Sequence, residues 1–200
     1  GWEKYINSII LNTIRVTNTL VTSMKKKNWG RILTITSSGV IQPIDNLLIS
    51  NTLRPAITGY MKTLSNEVSQ YGITVNTIMP GRIMTNRTLQ VNQSRADKMG
   101  ITYDEAINRS SSEIPIKRYG KSEEFGDVVC FLASEKASYI TGSNLRVDGG
   151  LIRNIWFLGG SMNLVNKKIG GHLLADQLEI NGVDTIFCVP SMFNSSANSW

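Results

Sequence analysis

The sequence has few of the residues on which several protein classes depend. Its two cysteines, Cys130 and Cys188, cannot build a disulfide framework, so we expect a reducing compartment. Charged residues account for 18% and hydrophobic residues for 41%, which excludes a disordered chain. The 17 glycines and 5 prolines exclude collagen-like or proline-rich sequence. No stretch approaches the apolar run of a membrane-spanning helix, and no secretory signal opens the sequence. We therefore predict a cytoplasmic protein without membrane contact.

Basic residues outnumber acidic residues by 21 to 15, which gives a formal net charge of +6. Such an excess can indicate a nucleic-acid or anionic-lipid partner, but no nucleic-acid-binding motif accompanies it. The run Lys25, Lys26 and Lys27 is better interpreted as the solvated end of a helix, where cations oppose the negative end of the helix dipole. We predict no nucleic-acid partner and no metal site, and the one histidine, His172, has no partner for either metal binding or catalysis.

The hydrophobic pattern alternates between helical and extended segments. Apolar residues at spacings of three and four predict helices, and short β-rich runs predict strands. We therefore predict an α/β fold with a mostly parallel sheet joined by right-handed crossovers. Gly30 is expected to stop the first helix, and Pro55 indicates a helix start near Ser50. The predicted helices are 2–24, 50–70 and 122–134, the last capped by Ser122, with one or two short helices in 82–113; the predicted strands are 31–36, 73–79 and 144–147.

Three segments, in order, carry a family resemblance: GRILTITSS, then YGITVNTIMPG with Thr85 four residues beyond the glycine, then FLASEKASYITGSNLRVDGG. Residues 1–153 resemble the C-terminal part of a divergent short-chain dehydrogenase/reductase of the 3-oxoacyl-ACP-reductase type. The resemblance implies a Rossmann-like parallel sheet with flanking helices, NAD or NADP as the cofactor, and hydride transfer to or from the carbonyl or alcohol carbon of a small molecule. The sequence contains no G-x-G-x-x-G turn, so we expect the N-terminal half of the fold to be missing.

The catalytic group of the resembled family is altered here. That family carries Asn, Ser, Tyr and Lys, and the matching positions hold Ile9, Ser37, Ser50 and Arg54. The resemblance implies that Ser37 binds a carbonyl oxygen, that Ser50 or a water carries the proton, and that Arg54 reaches the nicotinamide ribose. Alternatively, Ser37 caps a strand end and Ser50 caps the helix that follows.

Two functions stay open at this point, because a serine hydroxyl is a weak acid and an arginine stays protonated. The first is an NAD(P)-dependent oxidoreductase that is inactive as these 200 residues alone. The second is a non-catalytic relative that binds a dinucleotide or assembles with active subunits.

A further candidate segment follows strand 73–79. Pro80, Gly81, Ile83 and Thr85 match the family loop that lies over the nicotinamide, so the resemblance implies cofactor binding there. The alternative is a plain strand-to-loop turn, because Pro-Gly ends strands in any protein. This region also contains Arg82, Arg87 and Arg95. In one interpretation these arginines bind an acidic substrate or the cofactor phosphates. In the other they form a solvated surface.

The resemblance also implies a homo-oligomer. Members of that family commonly pair two long helices across a dimer interface, and the matching helices are 2–24 and 50–70. The small residues Ala56 and Gly59 would let another backbone pack closely there. Cys130 lies in an apolar helix and is expected in the core.

Residues 162–190 carry a second resemblance, through IGGHLLADQLEINGVDTIFCVP, to the start of a thiamine-diphosphate enzyme of the acetolactate synthase type. This segment begins at Met162, follows a linker at 154–161, and precedes a tail without periodicity at 191–200. We therefore expect pieces of two unrelated enzymes, brought together by a genuine fusion or by the joining of two neighbouring reading frames.

Overall fold

The computed structural model describes residues 1–153, which form a three-stranded parallel sheet flanked by helices. The first helical segment consists of α1 (Trp2–Tyr5), a π-helical turn (Ile6–Leu11) and α2 (Asn12–Lys27). Strand β1 (Gly30–Ile35), helix α3 (Leu48–Val68) and strand β2 (Ile73–Pro80) follow. Helices α4 (Asn86–Met99), α5 (Tyr103–Ser112) and α6 (Ser122–Ala133) then lead to strand β3 (Asn144–Val147). The predicted α/β class, the parallel sheet and the short helices within 82–113 are confirmed.

Strand β2 lies between β1 and β3, and both neighbours run parallel to it. Gly30 pairs with Ile73 where the first ladder begins, and Ile35 pairs with Ile78 where it ends. Every residue of β2 from Ile73 to Met79 is buried, as is usual for a parallel strand covered on both faces. The carboxyl ends of β1 and β2, at Ile35 and Pro80, therefore lie at the same edge of the sheet.

Helices cover the sheet through two apolar clusters. Because side chains alternate along a strand, Ile73 and Val75 point to one face of β2 and Ile78 to the other. The first face packs against α2 and α3, and the second packs against α6. The first cluster consists of Val21, Met61, Leu64, Val68, Ile73 and Val75; the second has Ile78, Leu132 and Ala137 at its centre.

The first helix ends differently from the prediction. Asn28, not Gly30, adopts the left-handed conformation at the helix end, with a φ of 49°. The backbone N–H of Trp29 donates to the Met24 carbonyl at 3.3 Å, which closes the last turn. Gly30 instead opens β1, where a Cβ would lie 2.6 Å from the Met24 sulfur. A glycine at this position therefore serves the packing of α2 on β1.

Helix α3 begins at Leu48, so Ser50 lies inside it and does not cap it. The Asn51 side chain fixes the preceding loop, because its Nδ2 donates to the Ile44 carbonyl and its Oδ1 accepts from the Ile44 N–H. Pro55 consequently lies well inside the helix, where its ring removes one helical hydrogen bond. The predicted start near Ser50 was thus late by two residues.

Two predictions about the third long helix were wrong. Lys121, not Ser122, is the N-cap of α6; its backbone N–H donates to Glu124 Oε2 at 2.7 Å, while the Ser122 hydroxyl donates to the Met84 carbonyl at 3.2 Å. Cys130 is exposed, because the packed face of α6 carries Leu132 and its neighbours at helical spacing.

No helix within residues 1–153 is both long and apolar enough to cross a membrane. The predicted linker at 154–161, the thiamine-diphosphate-like segment at 162–190 with His172, and the tail at 191–200 lie outside the described residues.

Candidate functional site

A cavity of about 620 Å³ opens at the carboxyl ends of β1 and β2. Ile35 and Pro80, the last residues of these strands, form part of its wall. In open α/β sheets, ligands bind at this edge of the strands. Helix α4 supplies another wall, because Thr88, Val91, Asn92 and Arg95 follow one another at helical spacing. The remaining lining residues are Leu47, Gly81, Arg82, Ile83, Thr85, Arg87, Ser110, Tyr119, Ser122 and Phe125.

The segment at residues 80–85, called the 80–85 loop below, is fixed to β3 at its start. The Gly81 N–H donates to the Val147 carbonyl at 2.9 Å. A Cβ on Gly81 would lie 2.6 Å from the Asp148 Cα. Only glycine therefore permits this close approach of two backbones. Pro80, Gly81, Ile83 and Thr85, the four residues predicted for this loop, all line the cavity.

The end of the 80–85 loop is fixed to the segment before α6 and to α4. Gly120 donates its N–H to the Arg82 carbonyl at 3.0 Å and accepts from the Met84 N–H at 2.8 Å. Thr85 is the N-cap of α4, and its hydroxyl accepts from the Thr88 N–H at 3.3 Å. The Thr88 hydroxyl donates to the Ile83 carbonyl at 2.7 Å. The loop is thus held on both sides and forms part of the cavity wall.

Ser50 and Arg54, predicted as catalytic residues, lie next to each other on α3. Arg54 Nε donates to Ser50 Oγ at 3.1 Å. Arg54 Nη1 donates to the carbonyl oxygens of Ile35 at 3.3 Å and Thr36 at 3.0 Å. Neither Ser50 nor Arg54 lines the cavity. Ile35, whose carbonyl Arg54 contacts, does line it. The pair therefore lies next to the strand end that borders the cavity.

Ser37 lies two residues beyond the end of β1 and makes a local contact. Its hydroxyl oxygen accepts from the Gly39 N–H at 3.0 Å and caps the short turn Ser38–Val40. The position that matches the family asparagine, Ile9, falls in the π-helical turn Ile6–Leu11. Such turns occur frequently near functional sites, and this one forms without the asparagine side chain.

The residues that line the cavity include no histidine and no carboxylate. Within residues 1–153 there is also no group of three or more His, Cys, Asp or Glu side chains able to hold a metal ion. The described site therefore offers hydroxyls, amides and guanidinium groups, which bind and orient oxygen-containing ligands.

A buried polar network on the α4 side of the cavity was missed by sequence reasoning. Tyr119 Oη lies 2.7 Å from Ser110 Oγ and 3.1 Å from Asn92 Oδ1, and Ser110 Oγ accepts from Arg95 Nη1 at 3.1 Å. Asn92 and Ser110 are each 1% exposed. The α4 spacing could have indicated that Asn92 and Arg95 share a face, but nothing local points to Ser110 or Tyr119.

The arginines of this region have different surroundings. Arg82 forms an ion pair with Glu113 and also donates to the Ser110 carbonyl. Arg95 is half-buried and Arg87 is exposed; neither has an ion-pair partner among the described residues.

Next to the 80–85 loop, Arg118 pairs with Glu124. Arg118 Nη2 lies 2.6 Å from Glu124 Oε1, and Nη1 lies 2.8 Å from Oε2. This side-chain hydrogen bonding, with the backbone N–H of Lys121, lowers the pKa of Glu124 from its ordinary 4.5 to about 2.

Comparison with known proteins gives a consistent result. The family model described as enoyl-(acyl carrier protein) reductase matches residues 1–152. The 3-oxoacyl-acyl-carrier-protein reductase FabG of Buchnera aphidicola is 37% identical over 150 residues, covering 75% of this chain and 57% of that protein. The NADPH-dependent reductase BacG of Bacillus subtilis is 36% identical over 132 residues, covering 66% and 51%.

A solved structure with a similar fold is L-sorbose reductase from Gluconobacter frateurii complexed with NADPH and L-sorbose. It matches with a TM-score of 0.73 and 30% identity, covering 77% of this chain and 59% of that one. The chain thus spans about half the length of the curated relatives it matches.

Proposed function

Because the chain belongs to the short-chain dehydrogenase/reductase family, we propose that residues 1–153 form the nicotinamide and substrate side of an NAD(P)-dependent oxidoreductase. The reaction is hydride transfer to or from a carbonyl or alcohol carbon of a small molecule. The observation that carries this proposal is the 80–85 loop, which is held at both ends along the wall of a 620 Å³ cavity at the carboxyl edge of the sheet.

The described residues fit a nicotinamide cofactor. Arg54 Nη2 has no hydrogen-bond partner within residues 1–153, so it is free to donate to a ribose hydroxyl. The cavity lining carries no acidic residue that would repel the cofactor phosphates. Arg54 and the loop residues Pro80, Gly81, Ile83 and Thr85 would hold the nicotinamide half. NADPH is the first form to test, because two of the similar proteins named above use or contain it.

The proposed roles of the remaining residues follow from their hydrogen bonding. When bound, the cofactor supplies hydride transfer. Ser37 Oγ accepts from Gly39, which leaves its own proton available for a substrate oxygen. Ser50 Oγ accepts from Arg54 Nε, so its proton too is available, directly or through a water. The arginine stays protonated and acts as a donor only.

A second candidate function is a non-catalytic relative that binds a dinucleotide or assembles with active subunits. The observation in its favour is that Arg54 is occupied by Ser50 and by two backbone carbonyls, as in a structural contact. Within residues 1–153 no residue accepts a proton or a hydrogen bond from either serine hydroxyl, so neither is paired with a general base.

Cofactor binding and turnover by the complete gene product separate these functions. We expect saturable NADPH or NADH binding, and oxidation of the reduced cofactor with at least one compound from a carbonyl panel. Binding without turnover across the panel supports the non-catalytic relative. Residues 1–200 on their own are proposed to give no turnover, and a stable rate with them would contradict this.

A pair of threonine variants tests the role of the loop. Thr85 and Thr102 both cap helices in the same region, and each accepts a backbone N–H. Replacing either by valine should reduce stability by about 1 kcal/mol. Only Thr85→Val should also weaken cofactor binding. Equal cofactor affinity in the two variants would remove Thr85 from the proposed site.

We also propose a homo-oligomer formed through helices 2–24 and 50–70. Ala56 and Gly59 are exposed on α3, and a Cβ on Gly59 would meet nothing within 4 Å. The first helical segment exposes large apolar side chains as well, at Trp2, Tyr5, Ile6, Leu11, Val16 and Leu20. Exposed apolar surface of this extent favours association.

For residues 162–190 we propose the start of a thiamine-diphosphate enzyme joined to the first piece. Sequencing of the locus tests it. A stop codon between residues 153 and 162 would indicate two joined reading frames, whereas one continuous frame that is translated as a single protein would indicate a fusion.

A further inference from the structure

The cavity described above carries more positive charge than its surroundings neutralise. Its lining includes three arginines and no carboxylate. Arg82 is neutralised by Glu113, but Arg87 and Arg95 have no ion-pair partner among the described residues. A guanidinium in a partly apolar cavity is best satisfied by an anionic ligand.

Arg95, unlike Arg87, is fixed by a side-chain hydrogen bond. Its Nη1 donates to Ser110 Oγ at 3.1 Å, and Ser110 is 1% exposed. Ser110 in turn contacts the buried Tyr119 hydroxyl at 2.7 Å. This network restricts the arginine before any ligand arrives, so little side-chain entropy is lost on binding. Arg87 is exposed and makes no such contact.

Asn92 adds an unsatisfied donor beside Arg95. It lies one turn earlier on the same face of α4 and lines the cavity. Its Oδ1 contacts Tyr119, whereas its buried Nδ2 has no hydrogen-bond partner among the described residues. A buried donor without an acceptor is unfavourable, and an acceptor oxygen at this wall would relieve it.

We propose that the α4 wall at Arg95 binds an anionic group of the substrate, a carboxylate, so that the substrate is a carbonyl or hydroxy compound with a carboxylate away from its reacting carbon. This inference rests on the proposed function and specifies its substrate class. Apolar side chains at Ile83, Val91 and Phe125 share the cavity, which suits an aliphatic segment between the two polar ends.

Arg95 lies further along α4 than Thr88, which contacts the 80–85 loop. Thr88 contacts the 80–85 loop through the Ile83 carbonyl, and Arg95 lies seven residues further along α4. Seven residues correspond to about 10 Å along a helix axis. The carboxylate would therefore bind about two helical turns along α4 from Thr88.

A matched pair of ligands tests the proposal without any turnover. Hexanoate and hexanamide have the same aliphatic chain and differ in charge. Their binding to the 200-residue chain would be measured by ligand-observed NMR titration. The variants are Arg95→Gln, Arg95→Lys and the control Arg109→Gln, which removes an equal charge from an exposed position outside the cavity. Thermal unfolding of each variant checks that it is folded.

We expect hexanoate to bind the unaltered chain more tightly than hexanamide. Arg95→Gln should weaken hexanoate binding about tenfold and leave hexanamide binding unchanged. Arg95→Lys should retain part of the preference, and Arg109→Gln all of it. Equal hexanoate affinity in the unaltered chain and in a folded Arg95→Gln variant would overturn the proposal.

A cofactor arm distinguishes the two possible sources of an anion. In the complete gene product, Arg95→Gln should leave NADPH affinity unchanged. If it weakens NADPH binding and not hexanoate binding, the arginine serves the cofactor phosphates and the proposal is wrong. Failure of the proposed oxidoreductase function would be seen separately, as absence of cofactor oxidation with every carbonyl compound, whatever the hexanoate result.

Discussion

Arg54 donates from Nε to Ser50 Oγ across 3.1 Å, one helical turn back along α3. Its Nη1 reaches the carbonyl oxygens of Ile35 and Thr36 at the end of β1. The pair therefore ties α3 to the strand end that borders the cavity. Arg54 Nη2 and the Ser50 hydroxyl proton have no acceptor within residues 1–153. The pair therefore combines a structural contact with two available hydrogen-bond donors.

This division of roles predicts different effects of Ser50→Ala and Arg54→Gln. Ser50→Ala leaves the strand contacts of Arg54 intact and should change the free energy of unfolding by less than about 1 kcal/mol. Arg54→Gln removes charged hydrogen bonds to two carbonyls and should destabilise by about 1–3 kcal/mol. Urea unfolding of the purified variants measures both.

The same variants test catalysis. If Ser50 carries the proton, Ser50→Ala should lower kcat of the complete gene product by about 100-fold or more. Thr52→Ala is a suitable control, because its exposed hydroxyl only donates to the Leu48 carbonyl. An unchanged kcat in Ser50→Ala would remove the serine from the proton path.

The element order could be predicted from sequence because each element has a local signal. The apolar spacing in α3 and the continuous run in β2 reflect burial against one or two faces. The ends of the helices were harder to predict from sequence. The start of α3 at Leu48 depends on Asn51 binding the Ile44 backbone, and that contact exists only when the loop has folded back.

The candidate site was predictable where chain neighbours form it and not where distant segments meet. Pro80, Gly81, Ile83 and Thr85 were predicted as one loop from consecutive sequence, and all four line the cavity. Ser122 was expected to cap α6, but its hydroxyl donates to Met84, 38 residues away in sequence. The contact between Asn92 and Tyr119 spans 27 residues, and no spacing rule brings such residues together.

That buried network predicts a measurable penalty for Tyr119→Phe. The substitution removes the hydroxyl shared by Ser110 and Asn92, and two buried polar groups lose a partner. We expect a loss of about 1–3 kcal/mol in the free energy of unfolding. Tyr139→Phe is the matched control, since Tyr139 is 102% exposed and its substitution should have an effect within about 0.5 kcal/mol. Equal urea midpoints for the two variants would contradict the network.

The proposed interface predicts that leucine substitution will weaken subunit association at one helical glycine and not at another. A Cβ on Gly59 of α3 or Gly126 of α6 meets nothing within 4 Å. Leucine at either site improves helix propensity by roughly 1 kcal/mol. If helices 2–24 and 50–70 pair between subunits, Gly59→Leu should weaken association at least about tenfold, and Gly126→Leu should not. Light scattering over a concentration series would show this, and identical masses for both variants would argue against that interface.

The lowered pKa of Glu124 predicts an acid sensitivity next to the 80–85 loop. Its carboxylate binds Arg118 and the Lys121 N–H, and Gly120 beside them pairs with Ile83. A pKa of about 2 in the folded protein, against an ordinary 4.5, means that the contribution to stability is complete above about pH 4.5. It is lost progressively as the pH falls through about 2.

The stability difference between the unaltered protein and Glu124→Gln should therefore shrink as the pH falls from about 4.5 towards 2, and high salt should reduce it at every pH. Glu123→Gln is the matched control, because Glu123 has no hydrogen-bond or ion-pair partner among the described side chains. Unfolding of the three proteins in urea at a series of pH values provides the measurement.

Hydrogen exchange provides a second measurement. The Met84 and Gly120 amides donate the hydrogen bonds that join Gly120 to the 80–85 loop. Their exchange should accelerate in Glu124→Gln above pH 4.5 if the carboxylate also stabilises the loop. If the stability difference between the unaltered protein and Glu124→Gln stays constant across this pH range, the Glu124 carboxylate does not stabilise the protein through its charge.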